Sequence, residues 1–392
     1  MHAGRRATAC FAPVDTLTHA LSGALLARVI AARHVPLAAQ VLAVPGLGRF
    51  AAPWDGQPGA PAVWQLVLTG FLAGAFPDID AVMQQFGDLA YLRHHRGVTH
   101  SLLLLPLWAL LVAWLMSRAF AVTRGQRAGW KSLWLVSAAA IAIHIAGDWI
   151  TAFGTMLLEP LSNARFGLGS VFIIDLVLSG TLLAGLLLAA TWPHRRWPAL
   201  AGLAAACAWV GVTWVGQQEA LEVGRAQART LGIADPEVQV MPRPASPFNW
   251  TVAVSDGSRW HLAHVNTRRS EPLVARADDH FVRRFSAPYL PVAMAQWQVL
   301  PRHTAADSPP WVLQAWQHEA FGFYRWFAEA PALIRAEERT NGNGERERCA
   351  FWRDLRFEWP GRASGPFRYG LCLGENGGAR PYRLDDQGPQ AL

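Results

Sequence analysis

Long apolar runs end abruptly near residue 216, and this change of texture constrains the fold more than any single motif. Before it stand stretches such as Leu102–Leu105, Leu133–Ile143, Val177–Ala190 and Ala199–Val215. Several approach the ~20 residues that an α-helix needs to cross a bilayer. Charged residues make up only 16% of the chain, against roughly 25% in an average soluble domain. The expected architecture is an α-helical membrane bundle of about six spanning or re-entrant helices over residues 15–216. A leader over 1–14 precedes it and a soluble α+β domain over 217–392 follows it.

Breakers and periodicity place the elements. Helix one runs from Asp15 to about Ala32, and a Pro/Gly-rich segment follows over 35–61. Helix two runs from about Ala62 to Phe76 and stops at Pro77, which has no N–H with which to continue it. Its Gly70 and Gly74 form a GxxxG pair suited to close helix packing. Helix three covers Thr99 to about Ala119, with Pro106 as a kink. Helix four covers Lys131–Ile150, helix five Ser170–Thr191 and helix six Trp197–Val215. Beyond Gln217 a polar helix is expected to end at Gly232. The β-like runs are Val238–Met241, Trp250–Val254, Trp260–Val265, Leu333–Glu338, Cys349–Phe357 and Phe367–Leu373. Asp256-Gly257 and Asn341-Gly342-Asn343-Gly344 read as hairpin turns, and residues 311–328 as an aromatic-rich amphipathic helix.

The polar residues of the apolar half converge. Asp15 and His19 open helix one, Asp78 and Asp80 follow helix two, and His94, His95 and His100 precede or open helix three. His144 and Asp148 lie in the last turns of helix four, and Asp175 lies near the start of helix five. In an up-and-down bundle, the starts of odd helices and the ends of even ones share one membrane face. The opposite face carries Arg33, Arg49, Arg118, Arg124, Arg127, Lys131, Arg195 and Arg196, against Arg93, Arg96 and Arg165 on the site face. Positive loops favour the cytoplasm, so the site and the C-terminal domain are expected outside it, in the periplasm of a Gram-negative inner membrane. Arg5 and Arg6 oppose this unless translation starts at Val14.

These residue types suit a metal centre. His144 and Asp148 are spaced i, i+4 and share a helix face, offering an imidazole and a carboxylate from one rigid base. Asp15 and His19 repeat that spacing in reverse. Candidate metal ligands are His19, Asp78, Asp80, His95, His100, His144 and Asp148, with Asp15, His94 and Asp175 as further candidates. Nitrogen and oxygen donors without thiolate suit zinc first, and manganese or iron as well. So many donors exceed the needs of one tetrahedral ion, so two or three divalent ions are expected. Such ions activate water and clamp a phosphoryl or acyl oxygen, which makes His144, Asp148 and Asp80 the candidate catalytic residues. Arg93 and Arg96 are candidate substrate anchors for a phosphate or carboxylate.

Each of these residues also has an ordinary reading. A histidine at a helix end anchors at the interface, an aspartate there caps the helix, and an arginine snorkels. The net charge of +7, from 35 basic and 28 acidic residues, is an orientation signal here, and no nucleic acid is expected as a partner. Cys349 and Cys372 can pair if their domain faces an oxidising compartment, which the sequence leaves open.

Asp15-Thr16-Leu17-Thr18-His19-Ala20-Leu21-Ser22-Gly23, Gly74-Ala75-Phe76-Pro77-Asp78-Ile79-Asp80, His94-His95-Arg96-Gly97-Val98-Thr99-His100-Ser101 and His144-Ile145-Ala146-Gly147-Asp148 together resemble the bacterial inner-membrane metal-dependent hydrolases. The resemblance covers about residues 14–180 and includes Phe172-Ile173-Ile174-Asp175. It implies a multi-pass, metal-dependent hydrolase. The order of histidines and aspartates is also similar, more distantly, to the zinc-dependent phospholipase C and P1 nuclease group. A second histidine-rich helix for a full three-ion set is not found.

Three functions follow as expectations. The first is hydrolysis of a phosphoester in a lipid or lipid-linked substrate at the bilayer surface. The second is transport, which usually places ionisable residues near the bilayer midplane, where this chain has Ser, Thr and Gly. The third is a non-catalytic scaffold with a structural metal.

Overall fold

The structure, a computed structural model, describes residues 12–32, 60–124, 126–303, 305–341, 344–360 and 365–392. Residues 1–11 of the expected leader, with Arg5 and Arg6, lie outside the described residues. So do Arg33, Arg49, most of the Pro/Gly-rich segment and positions 342–343 of one expected turn. The chain divides into two compact units: the described parts of Met1–Gln85, with His94–Leu168 and Ile173–Val212, and Phe86–Arg93 with Gly169–Phe172 and Thr213–Leu392.

The first unit is helical. It contains α1 (Ala12–Ala32), α2 (Val63–Ala75), α4 (Leu105–Ala119), α5 (Arg127–Trp149), α6 (Leu176–Thr191) and the start of α7 (Trp197–Thr230); the short α3 (Asp88–His94) falls almost wholly in the second unit. Pro77 ends the α-helical hydrogen bonding, yet the chain continues as a 3₁₀ helix over Phe76–Phe86. A residue without an N–H is tolerated by that tighter winding at a helix end. Pro106 sits in the first turn of α4 and begins the helix, where the kink was expected further along it. The expected helix three is broken: a short 3₁₀ turn over Val98–His100 precedes α4.

The expectation of about six spans is too high. Among the described residues, three helices are long and apolar enough to cross a membrane: Val63–Phe86, Gly129–Trp149 and Trp197–Thr230. A fourth is added if Asp88–His100 and Leu105–Ala119, bent by 79°, form one broken span. The expected helix one forms without a break over Ala12–Ala32 but carries Asp15, His19 and Arg28, which lower its hydropathy, and the expected helix five is only 16 residues long. The expected helix six and polar helix are one continuous 34-residue helix, because nothing between Ala199 and Thr230 breaks it.

Small residues set the helix crossings. A Cβ on Gly70 would lie 2.5 Å from the Gly23 carbonyl oxygen, and one on Gly74 would lie 2.6 Å from the His19 carbonyl oxygen. The GxxxG pair thus brings α2 backbone-close to α1 over His19–Gly23. Leu66, Ala73, Ala109, Val112, Leu133, Val136 and Ile141 fill the core beside this crossing. Leu107, Leu111, Trp114, Leu183 and Leu187 are exposed instead, as expected of lipid-facing side chains.

The second unit carries two five-stranded sheets. The first comprises β1 (Glu237–Pro242), β2 (Asn249–Ser255), β3 (Arg259–Asn266), β4 (Leu290–Pro291) and β5 (Gln298–Pro301), with β5 pairing against β3. The second is a meander of β6 (Pro331–Thr340), β7 (Arg346–Asp354), β8 (Arg368–Gly374), β9 (Ala379–Asp385) and β10 (Gly388–Ala391). Trp250, Val252 and Val254 pack with Ala220 and Ala228 of α7, so one face of β2 is covered by that helix. The expected helix over 311–328 is split into α8 (Pro310–Gln317) and α9 (Gly322–Phe327) by a 3₁₀ turn. Cys349 and Cys372 stand directly opposite each other on β7 and β8 and form a disulfide. The sheets make the second unit β-rich.

Candidate metal centre

His144 is held from behind. Its Nδ1 lies 2.6 Å from the Gly74 carbonyl oxygen, which can only accept, so Nδ1 carries the proton and Nε2 presents a lone pair. His100 is held in the same way: its Nδ1 lies 3.2 Å from Asp80 Oδ2 and 3.0 Å from Thr99 Oγ1. The Thr99 hydroxyl donates to that same carboxylate oxygen at 2.9 Å, which leaves Nδ1 of His100 to donate to Asp80. In their neutral forms the two wholly buried imidazoles point Nε2 lone pairs at each other, 3.0 Å apart. Facing lone pairs repel unless a cation or a proton lies between them.

Two carboxylates complete the arrangement. Asp148 Oδ2 lies 2.9 Å from His100 Nε2 and 3.5 Å from His144 Nε2. Asp78 Oδ1 lies 3.7 Å and 3.6 Å from the same two nitrogens. The other oxygen of Asp78 is buried and accepts no hydrogen bond among the described residues. Donors ~2.0–2.1 Å from one tetrahedral ion stand ~3.3–3.4 Å from each other. The five donor separations here scatter around that value. The residues present fit a divalent ion with two nitrogen and two oxygen donors. Asp78 is the partly exposed member of the set; the other three are buried.

A second group adjoins the first. His19 Nε2 lies 3.1 Å from Asp148 Oδ1 and 3.3 Å from Asp15 Oδ1. The Arg96 guanidinium is inserted there, with Nη2 at 2.9 Å from Asp148 Oδ1 and 3.1 Å from Asp15 Oδ2. Its Nη1 donates to Thr151 Oγ1 at 2.7 Å. Arg96 adopts a left-handed backbone, φ 59°, which costs a non-glycine residue of order 1 kcal/mol or more. That conformation is held from both sides: the Arg96 N–H donates to Asp80 Oδ2, and its carbonyl accepts from the Met156 N–H.

The remaining candidates fall elsewhere. Asp80 and His95 lie outside the four-donor set: His95 Nδ1 holds Asp80 Oδ1 at 2.8 Å, and Asp80 orients His100, Thr99 and Arg96. His94 and Arg93 are exposed. Asp175 caps α6 by accepting from the N–H groups of Val177 and Leu178, and its other oxygen accepts from Trp209 Nε1. Arg96 is buried against carboxylates rather than presented to a substrate.

Sequence reasoning missed several supporting residues. Thr99 and Thr151 orient Asp80 and Arg96, and Phe153 stacks under the guanidinium, 5.1 Å from it. Gly147 gives His19 its room, because a Cβ there would lie 2.8 Å from the imidazole. Gly74 was visible as a packing glycine but not as the carbonyl that anchors His144. The glycine inside His144-Ile145-Ala146-Gly147-Asp148 was the one available signal for the His19 pocket.

Comparison with known proteins agrees with the membrane character and is silent on chemistry. No solved structure matches. The "Uncharacterized protein YfhP" of Bacillus subtilis (strain 168) is 30% identical over 116 residues, covering 29% of this chain and 34% of the relative. The chain thus spans about a third of the length of that curated relative. Neither this relative's description nor that of the matching family speaks of a hydrolase or a phospholipase. The family model described as YdjM inner membrane protein matches residues 14–220, more than half of the chain and the whole of the candidate metal centre. The chain belongs to the YdjM inner membrane protein family.

Proposed function

We propose that this protein is a membrane-bound metal-dependent hydrolase that cleaves a phosphoester of a lipid or lipid-linked substrate at the bilayer surface. The observation that carries this reading is the pair of Nε2 atoms of His100 and His144, 3.0 Å apart, buried and flanked by Asp78 and Asp148. His100, His144, Asp78 and Asp148 hold the ion, zinc being the first choice for this donor set. Such an ion supplies Lewis acidity, acidifying water and drawing charge from a phosphoryl oxygen. Asp80 fixes the His100 ring, the Gly74 carbonyl fixes the His144 ring, and Asp78 marks the side from which a substrate arrives. The Cys349–Cys372 disulfide and the excess of positive charge on the opposite loops both support a periplasmic site and C-terminal domain.

A specific observation favours a second reading. Four protein donors close a tetrahedral set, as in structural metal sites, so a non-catalytic scaffold is the alternative. The test is elemental analysis of the detergent-purified chain together with a panel of phosphoester substrates. One zinc per chain with turnover that disappears in His144→Ala supports the hydrolase. One zinc with no turnover on lipid phosphoesters, and a large loss of thermal stability on chelation, favours the scaffold. Absence of stoichiometric metal sinks both.

A further inference from the structure

The Asp15, His19 and Asp148 group has the composition of a second metal site, adjoining the first through a shared carboxylate. We infer that it does not bind a metal ion, because the Arg96 guanidinium permanently takes the place of a second cation, making the centre mononuclear with an arginine as its other positive charge. This inference rests on the metal-site reading above.

The geometry carries it. Asp148 divides its two oxygens: Oδ2 faces His100 and His144, while Oδ1 faces Arg96 Nη2 at 2.9 Å and His19 Nε2 at 3.1 Å. The same Nη2 reaches Asp15 Oδ2 at 3.1 Å, so one guanidinium nitrogen spans both carboxylates that a second ion would need. An ion at the ~2.0–2.2 Å carboxylate distance would compete with the guanidinium for those lone pairs and that space. Arg96 cannot yield easily. It is 1% exposed, its Nη1 is bonded to Thr151 Oγ1, and its backbone is pinned at both its N–H and its carbonyl. Nor can it lose its charge, since a guanidinium stays protonated in proteins. A lysine would not serve equally, because the flat fork reaches Asp15, Asp148 and Thr151 at once.

Arg96 is thus a positioning residue: it orients Asp148 through Oδ1 so that Oδ2 remains for the ion. The test is zinc content per chain, measured by elemental analysis after dialysis of the full-length, detergent-purified protein against excess zinc. His144→Ala serves as the blank for ions bound elsewhere on the surface. The expected result is one zinc above the blank in the wild type, still one in Asp15→Asn, and two in Arg96→Met. The second zinc disappears again when Asp15→Asn is added to Arg96→Met. Two zincs in the wild type, falling to one in Asp15→Asn, would overturn the inference while leaving the metal-site reading intact. A folded Arg96→Met protein that stays at one zinc also overturns it. A wild type indistinguishable from the blank removes the metal-site reading itself, and the inference with it. The wild-type and Asp15→Asn counts decide the matter even if Arg96→Met does not fold.

Discussion

His100 and His144 face each other across 3.0 Å through their Nε2 atoms, each ring having its Nδ1–H committed to an oxygen behind it. They come from separate segments, a 3₁₀ turn and the end of α5, so the pairing is a tertiary fact that no local pattern contains. Removing one donor from such a set leaves the others buried and poorly matched. His144→Ala and Asp78→Asn are each expected to abolish stoichiometric zinc, read by elemental analysis of the purified protein. Retention of one tightly held zinc in both variants would refute the assigned donor set.

Asp80 acts through His100. Loss of a carboxylate that orients a metal-bound imidazole typically lowers affinity about 10–100-fold. Asp80→Asn is therefore expected to weaken zinc binding by that factor without eliminating it, measured by competition with a chelator of known affinity. His95→Gln, one step further out, is expected to have a smaller effect in the same direction. An Asp80→Asn protein with unchanged affinity would remove the orienting role.

The α1–α2 crossing has no room for a methyl group at Gly70, whose added Cβ would also meet the Ala27 Cβ at 2.5 Å. Overpacking of this kind costs about 1–3 kcal/mol. Gly70→Ala is expected to lower the thermal midpoint of the helical unit in detergent. Gly180→Ala, where an added Cβ meets nothing, serves as the control and is expected to hold or slightly raise the midpoint, as alanine favours the helix. Equal midpoints for the two variants would contradict the close crossing.

The C-terminal unit has its own dependence on acid. Burial, with the Arg243 and Arg353 guanidiniums nearby, pushes the His264 imidazole down to about 3 from its usual 6.5. Between those values the unfolded chain binds the proton and the folded one does not. Stability is therefore full above pH 6.5 and falls as the pH drops towards 3, by at most ~1.4 kcal/mol per pH unit from this residue. Urea unfolding followed by tryptophan fluorescence at pH 7.5, 6 and 5 is expected to show this slope. His264→Gln, which can keep the hydrogen bond to Thr251, is expected to flatten it. Equal slopes in the two proteins would show that His264 is not the group responsible.

Much of this is legible in the sequence. The change near residue 216 marked the end of the apolar region, and the Val238–Met241, Trp250–Val254 and Trp260–Val265 runs lie within observed strands because alternation and β-branching are local signals. Span counting went too far because apolar composition does not measure length: α6 has 16 residues and α4 has 15. The sequence brought Asp15, His19, Asp78, Asp80, His100, His144 and Asp148 to one region, but which oxygen faces which nitrogen is decided by packing. Arg96 illustrates the limit. Its neighbours in the chain made it a candidate substrate anchor, whereas its left-handed backbone turns it inward on to Asp15 and Asp148.

Gly74 has one further consequence. The residue whose missing side chain lets α2 approach α1 also supplies the carbonyl that fixes His144. Docking of those helices and capture of an ion at the proposed centre would therefore be one equilibrium viewed from two ends. An ion present at a thousand times its dissociation constant, and bound only by the folded state, would add about 4 kcal/mol to the bundle's stability. A melting curve, recorded with and without chelator, is then a direct gauge of how much free metal the protein senses.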